Sequence, residues 1–80
     1  MTESEKHLLL VEDEAPLREA TAERLAEHGY RVVHADSGET ARERLADFAF
    51  DVVITDLRLP GMDGTAVVET ARELYPEIVA

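Results

Sequence analysis

Two stretches of the sequence place carboxylates directly after apolar runs. LLLVEDE at residues 8–14 leads into Glu12 and Asp13, and DVVITDLRLPGMDG at residues 51–64 leads into Asp56. An ionised group at the end of a segment built for burial is costly unless something pairs with it. If the two segments lie side by side, the three acids share one small space. Two carboxylates about 4 Å apart repel by about 4 kcal/mol at an effective dielectric near 20. Three of them require a counter-charge, or one must take up a proton. A divalent cation is the natural counter-charge, and an all-oxygen set without His or Cys selects Mg2+ or another hard divalent cation. Mg2+ is typically held by one or two carboxylates together with waters and a phosphate, which points to chemistry on a phosphoryl group.

Those acids meet only if the chain brings two strand ends together. Leu8–Val11 reads as a buried strand. Pro16 to His28 reads as a helix on which Leu17, Thr21 and Leu25 recur every four residues; Pro16 suits its first turn and Gly29 the position past its end. Arg31–Ala35 supplies a second strand, and Ser37 is expected to cap a helix with Ala41, Leu45 and Phe48 on one face. Val52–Thr55 is the third strand. Asp63 caps a third helix that turns Val67, Val68, Ala71 and Leu74 inward. Tyr75-Pro76 ends that helix, because proline disfavours helical geometry in the residue before it. Ile78-Val79-Ala80 then reads as a fourth strand cut short.

The order β-α-β-α-β-α-β, with short continuous apolar strands, requires helices on both faces of a parallel sheet. Right-handed crossovers put the first strand between the second and third, the start of the flavodoxin-like α/β order. In such sheets ligands bind beyond the carboxyl ends of the strands, where the winding reverses. Here that point lies between the first and third strands. Neighbouring strands are roughly 4.8 Å apart, so Asp13 and Asp56 can converge across 43 positions of sequence.

Size and charge fit this reading. Eighty residues form one small domain, 1–80, which buries only about 60% of its unfolded surface. Eighteen acids against eight bases give a net charge of −10, which repels nucleic acid and anionic membranes and suits cationic partners. No cysteine is present, consistent with a reducing, cytoplasmic setting. No apolar run is long enough to span a bilayer, and the polar start MTESEKH lacks a signal peptide's apolar core.

Taken singly, the motifs have ordinary explanations. Acids near a helix N-terminus are stabilised by its dipole, and MDG by itself is a common turn. Joined, the acid pair in LLLVEDE, the D-x-x-x-P-x-x-D-G pattern from Asp56 to Gly64 and the intervening helices resemble the receiver domain of bacterial two-component response regulators. That CheY-like resemblance covers essentially all 80 residues and corresponds to the N-terminal two-thirds of such a domain.

The resemblance implies that Asp56 is the phospho-acceptor, taking a phosphoryl group from the phosphohistidine of a sensor histidine kinase or phosphotransfer protein. Carboxylate nucleophiles on phosphorus are an established form of covalent catalysis. It implies a regulatory module rather than an enzyme in the usual sense. Asp13 and Asp56 would ligate Mg2+ directly, Glu12 through a water, and Arg58 through its backbone carbonyl. Pro60 and Gly61 would shape the loop that aims that carbonyl, and Gly64 would allow close packing where the third helix begins.

The chain also departs from the family. The hydroxyl residue at the end of the family's fourth strand and the lysine after its fifth would lie beyond Ala80, and Lys6 precedes the first strand, at the wrong end of the sheet. Phosphorylation is therefore expected to be weakened or absent, and the short fourth strand to leave an apolar edge through which copies self-associate. A receiver-like module retained only for interaction or assembly is the alternative. A haloacid-dehalogenase-type phosphatase also uses a strand-end aspartate, but its second acid would fall at Arg58 and Glu12-Asp13 would go unexplained. His7, His28 and His34 lack ligand spacing, and the glycines are too dispersed for a phosphate-cradling loop.

Overall fold

The computed structural model describes residues 6–59 and 63–79. Three parallel strands, β1 (His7–Val11), β2 (Arg31–Ala35) and β3 (Val52–Thr55), alternate with three helices, α1 (Ala15–Glu27), α2 (Gly38–Asp47) and α3 (Gly64–Leu74). The sheet order is β2-β1-β3, with β1 in the centre. Leu8 and Val11 lie opposite Val32 and Ala35 on one side and opposite Val52 and Thr55 on the other. The incomplete flavodoxin-like arrangement expected from the sequence is therefore present.

The central strand explains why an unbroken apolar run was needed. Leu8 and Leu10 face α1 and pack with Ala22, Leu25, Tyr30, Val32 and Val52. Leu9 and Val11 face the other way, into a core shared with Ala41 and Leu45 of α2 and Val67 and Ala71 of α3. All four are at most 3% exposed. Each such side chain contributes about 1.5–3 kcal/mol when removed from water, so β1 is the element the domain is least able to lose.

Local rules set the helix ends. Ser37 Oγ accepts the Thr40 N–H at 3.1 Å, and Asp63 Oδ1 accepts the Ala66 N–H at 3.0 Å. Each satisfies a donor that the first helical turn leaves open. Gly29, at φ 94°, closes α1 in a left-handed conformation that side-chain-bearing residues rarely adopt.

Three expected inward positions turn out half open. Leu17 is 49% exposed, because the side of α1 that meets the sheet is the 18-21-22-25 stripe, which keeps Thr21 and Leu25 and leaves out Leu17. Phe48 is 51% exposed: it follows the last turn of α2 in extended geometry, and Phe50 enters the core instead. Leu74 is 50% exposed, and Tyr75 takes its place, its hydroxyl donating to the carbonyls of Leu45 and Phe48. The expected fourth strand is reduced to a parallel bridge between Val79 and Val52, with Ile78 in the core; Ala80 lies outside the described residues. Among the described residues no helix is long and apolar enough to cross a membrane.

Candidate functional site

Residues 12–14 leave β1 and residues 56–59 leave β3, so both loops emerge at the carboxyl end of the sheet. The parallel pairing continues one step past the strands: Asp56 N–H donates to the Val11 carbonyl at 3.0 Å, and Glu12 N–H to the Ala35 carbonyl at 3.0 Å. The backbones of two acids are thereby tied to the rigid ladder. Glu12, Asp13 and Asp56 each offer a carboxylate oxygen, and these oxygens all lie within 4.8 Å of one another. Glu12 is half-buried, while Asp13 and Asp56 are exposed to solvent.

The surrounding bonds orient the carboxylates. Glu12 Oε2 accepts the Glu14 N–H at 3.2 Å, and Asp56 Oδ1 accepts the Arg58 N–H at 3.3 Å. Arg58 is thus brought to the site by its main chain, with its side chain exposed. Thr55 Oγ1 donates to the Asp56 carbonyl at 2.8 Å. Gly64 closes the loop after Asp56: its N–H donates to the Leu57 carbonyl at 2.9 Å. A Cβ at this position would run into the Asp56 carbonyl oxygen and stand 2.9 Å from Leu57 Cα. The expected close approach at Gly64 is therefore real. Pro60 and Gly61 lie outside the described residues.

The trio fits a hard divalent cation. With bonds near 2.1 Å, oxygens sharing an octahedral Mg2+ stand about 3 Å apart when adjacent and about 4.2 Å apart when opposite. A spread of up to 4.8 Å accommodates two direct carboxylate ligands with a third reached through water. Lys6 stands before β1, at the other end of the sheet, its carbonyl accepting the Arg31 N–H. His7, His28 and His34 are exposed and stand on separate elements or element ends. Nothing in the residue spacing points to Arg18, whose Nη1 donates to the Glu12 carbonyl at 2.9 Å.

Residues 8–79 match the response regulator receiver domain family. The chain belongs to that family. It is 37% identical over 73 residues to the response regulator receiver protein CpdR of Brucella abortus, covering 91% of this chain and 61% of that one. The crystal structure of a response regulator receiver protein from Sinorhizobium medicae aligns with a TM-score of 0.89 at 35% identity, covering 94% of this chain and 62% of that one. TrrA from Thermotoga maritima, whose structure is a complex with Mg2+-BeF, aligns with a TM-score of 0.82 at 35% identity, over 89% of this chain and 62% of that one. The chain thus spans about three-fifths of the length of each of these relatives. Membership connects it with two-component signalling.

Proposed function

We propose that this receiver domain accepts a phosphoryl group on Asp56 from the phosphohistidine of a sensor histidine kinase or phosphotransfer protein, with Mg2+ held at the acidic trio. The observation that carries this reading is the convergence of the Glu12, Asp13 and Asp56 oxygens within 4.8 Å. Three carboxylates held this close repel one another, and a bound cation would offset that repulsion. Asp13 and Asp56 would hold the ion directly, Glu12 through a water, and the Arg58 carbonyl would complete the protein's share. Bound there, Mg2+ would offset the negative charge of the nucleophile and of the phosphoryl oxygens.

The chain's own residues supply the nucleophile and its aim. A carboxylate oxygen of Asp56 forms the new P–O bond. The P–N bond to the donor imidazole breaks in line with it, and its electron pair returns to the ring nitrogen. Positioning is the main contribution a protein can make to such a transfer. The bond from Asp56 N–H to Val11 serves that end by fixing the nucleophile's backbone to the central strand. The Arg58 N–H does so by holding Oδ1.

Lys6 lies at the far end of β1, away from the acidic trio. Self-association through the β3 side of the sheet is part of the same proposal, supported by the exposed apolar side chains of Ile54 and Val79, 41% and 63% accessible.

The test is incubation with a small phosphodonor, with Mg2+ or with chelator, followed by intact-mass measurement. One phosphoryl group should accumulate with Mg2+, and not in Asp56→Asn or with chelator. Equal labelling of Asp56→Asn would overturn the assignment, as would no labelling of the unmodified chain at any donor concentration.

A further inference from the structure

Two of the three acids sit on residues 12–14, and the helix that follows begins without the side-chain cap the other two helices have. Ser37 caps α2 and Asp63 caps α3, whereas Glu14, at the corresponding position of α1, makes no capping bond through its side chain. An uncapped helix start leaves backbone donors unsatisfied and the preceding loop weakly tethered. Yet this loop must hold Glu12 and Asp13 to a fraction of an ångström if they are to share a cation with Asp56.

We propose that Arg18 is the positioning residue that holds the β1–α1 loop, which no side-chain cap tethers, in its cation-binding geometry. Its Nη1 donates to the Glu12 carbonyl at 2.9 Å, and its backbone N–H donates to the Glu14 carbonyl at 2.8 Å. The second of these is the first-turn bond of α1 itself; the side-chain bond is the one that ties the loop to the helix on the far side of Asp13. The remaining handles of Glu12 are also taken: its N–H by the Ala35 carbonyl and its Oε2 by the Glu14 N–H. Arg18 can act this way because it lies on the 18-21-22-25 stripe of α1 that faces the sheet. It is half-buried, whereas Leu17 and Glu19 on either side are exposed.

The placement separates two effects of opposite sign. A guanidinium beside the acids repels an incoming cation, so loss of its charge alone would tighten metal binding. Loss of the bond to Glu12 frees the loop and loosens it. Asp13 and Asp56 face solvent, where charge effects are screened by salt, whereas partners that orient metal ligands affect affinity about 10–100-fold. Positioning is the larger effect.

This inference rests on the proposed cation site, and calorimetric titration with Mg2+ alone distinguishes the failure of either. The comparison uses the unmodified chain, Arg18→Met, Arg18→Lys and Arg24→Met, with melting temperatures recorded for each. Arg24→Met removes the same charge from the other end of α1. Arg18→Met should bind Mg2+ about 10-fold more weakly, and the deficit should persist at high salt. Arg18→Lys should recover part of it, and Arg24→Met should stay within about two-fold of the unmodified chain. If Arg18→Met shows no cooperative melting, Arg18→Gln is judged by the same criterion. Binding by these variants that is unchanged or tighter overturns the role of Arg18, and absence of Mg2+ binding by the unmodified chain overturns the site itself.

Discussion

Replacing Asp56 by Asn should make the metal-free domain more stable, and the size of the gain follows from the site's geometry. The oxygens of Glu12, Asp13 and Asp56 lie within 4.8 Å of one another. At that distance two unit charges repel by about 0.9 kcal/mol in bulk water and about 3.5 kcal/mol at an effective dielectric of 20. Asp13 and Asp56 are exposed, so the lower figure applies, and a Debye length of about 8 Å at physiological salt roughly halves it. Asn keeps the carbonyl oxygen that accepts the Arg58 N–H, so the substitution removes two repulsions and leaves that bond. The net gain is about 1 kcal/mol, or roughly 4–8 °C in melting temperature for a domain of this size. Urea denaturation in chelator checks it, and the gain should shrink as salt is added. Mg2+ should reverse the order: at a hundredfold excess over its dissociation constant it stabilises the unmodified chain by about 2.7 kcal/mol, with much less effect on Asp56→Asn. A metal-free Asp56→Asn domain no more stable than its parent would refute the repulsion argument.

Gly64→Ala should destabilise the domain by about 2 kcal/mol, within the range for overpacking, because the new methyl meets the Asp56 and Leu57 backbone rather than a flexible side chain. Urea denaturation in chelator measures this, and a variant as stable as its parent would show that the loop has room to move. Val79→Lys should suppress self-association, since a charge on an exposed edge opposes strand pairing. Sedimentation across a concentration series tests this, and unchanged association would place the contact elsewhere.

Much of this arrangement was legible in the sequence because the strands obey strong constraints. Leu8–Val11 had to be buried on both sides, which fixed the parallel sheet with β1 in the centre and brought Asp13 and Asp56 together. Caps at Ser37 and Asp63 were equally legible, being local chemistry. Helix faces were less so. Leu17, Thr21 and Leu25 satisfy a four-residue repeat, but which side of α1 meets the sheet depends on its packing, and Ala22 rather than Leu17 is buried there. Phe48 and Leu74 failed for a related reason: the regular helix ends at or just before them, and Phe50 and Tyr75 fill the space. Arg18 escaped notice because its bond to the Glu12 carbonyl is to the backbone, which carries no sequence signal.

Paramagnetic broadening by Mn2+, as a stand-in for Mg2+, tests most directly whether the three acids address one cation. At low Mn2+ the backbone amides of Glu12, Asp13, Asp56 and Arg58 should lose intensity first, and Mg2+ should restore them by competition. Those of Lys6, His7 and Asp51, at the other end of the same strands, should stay sharp. Broadening centred elsewhere, or spread evenly over the acidic surface, would contradict the account.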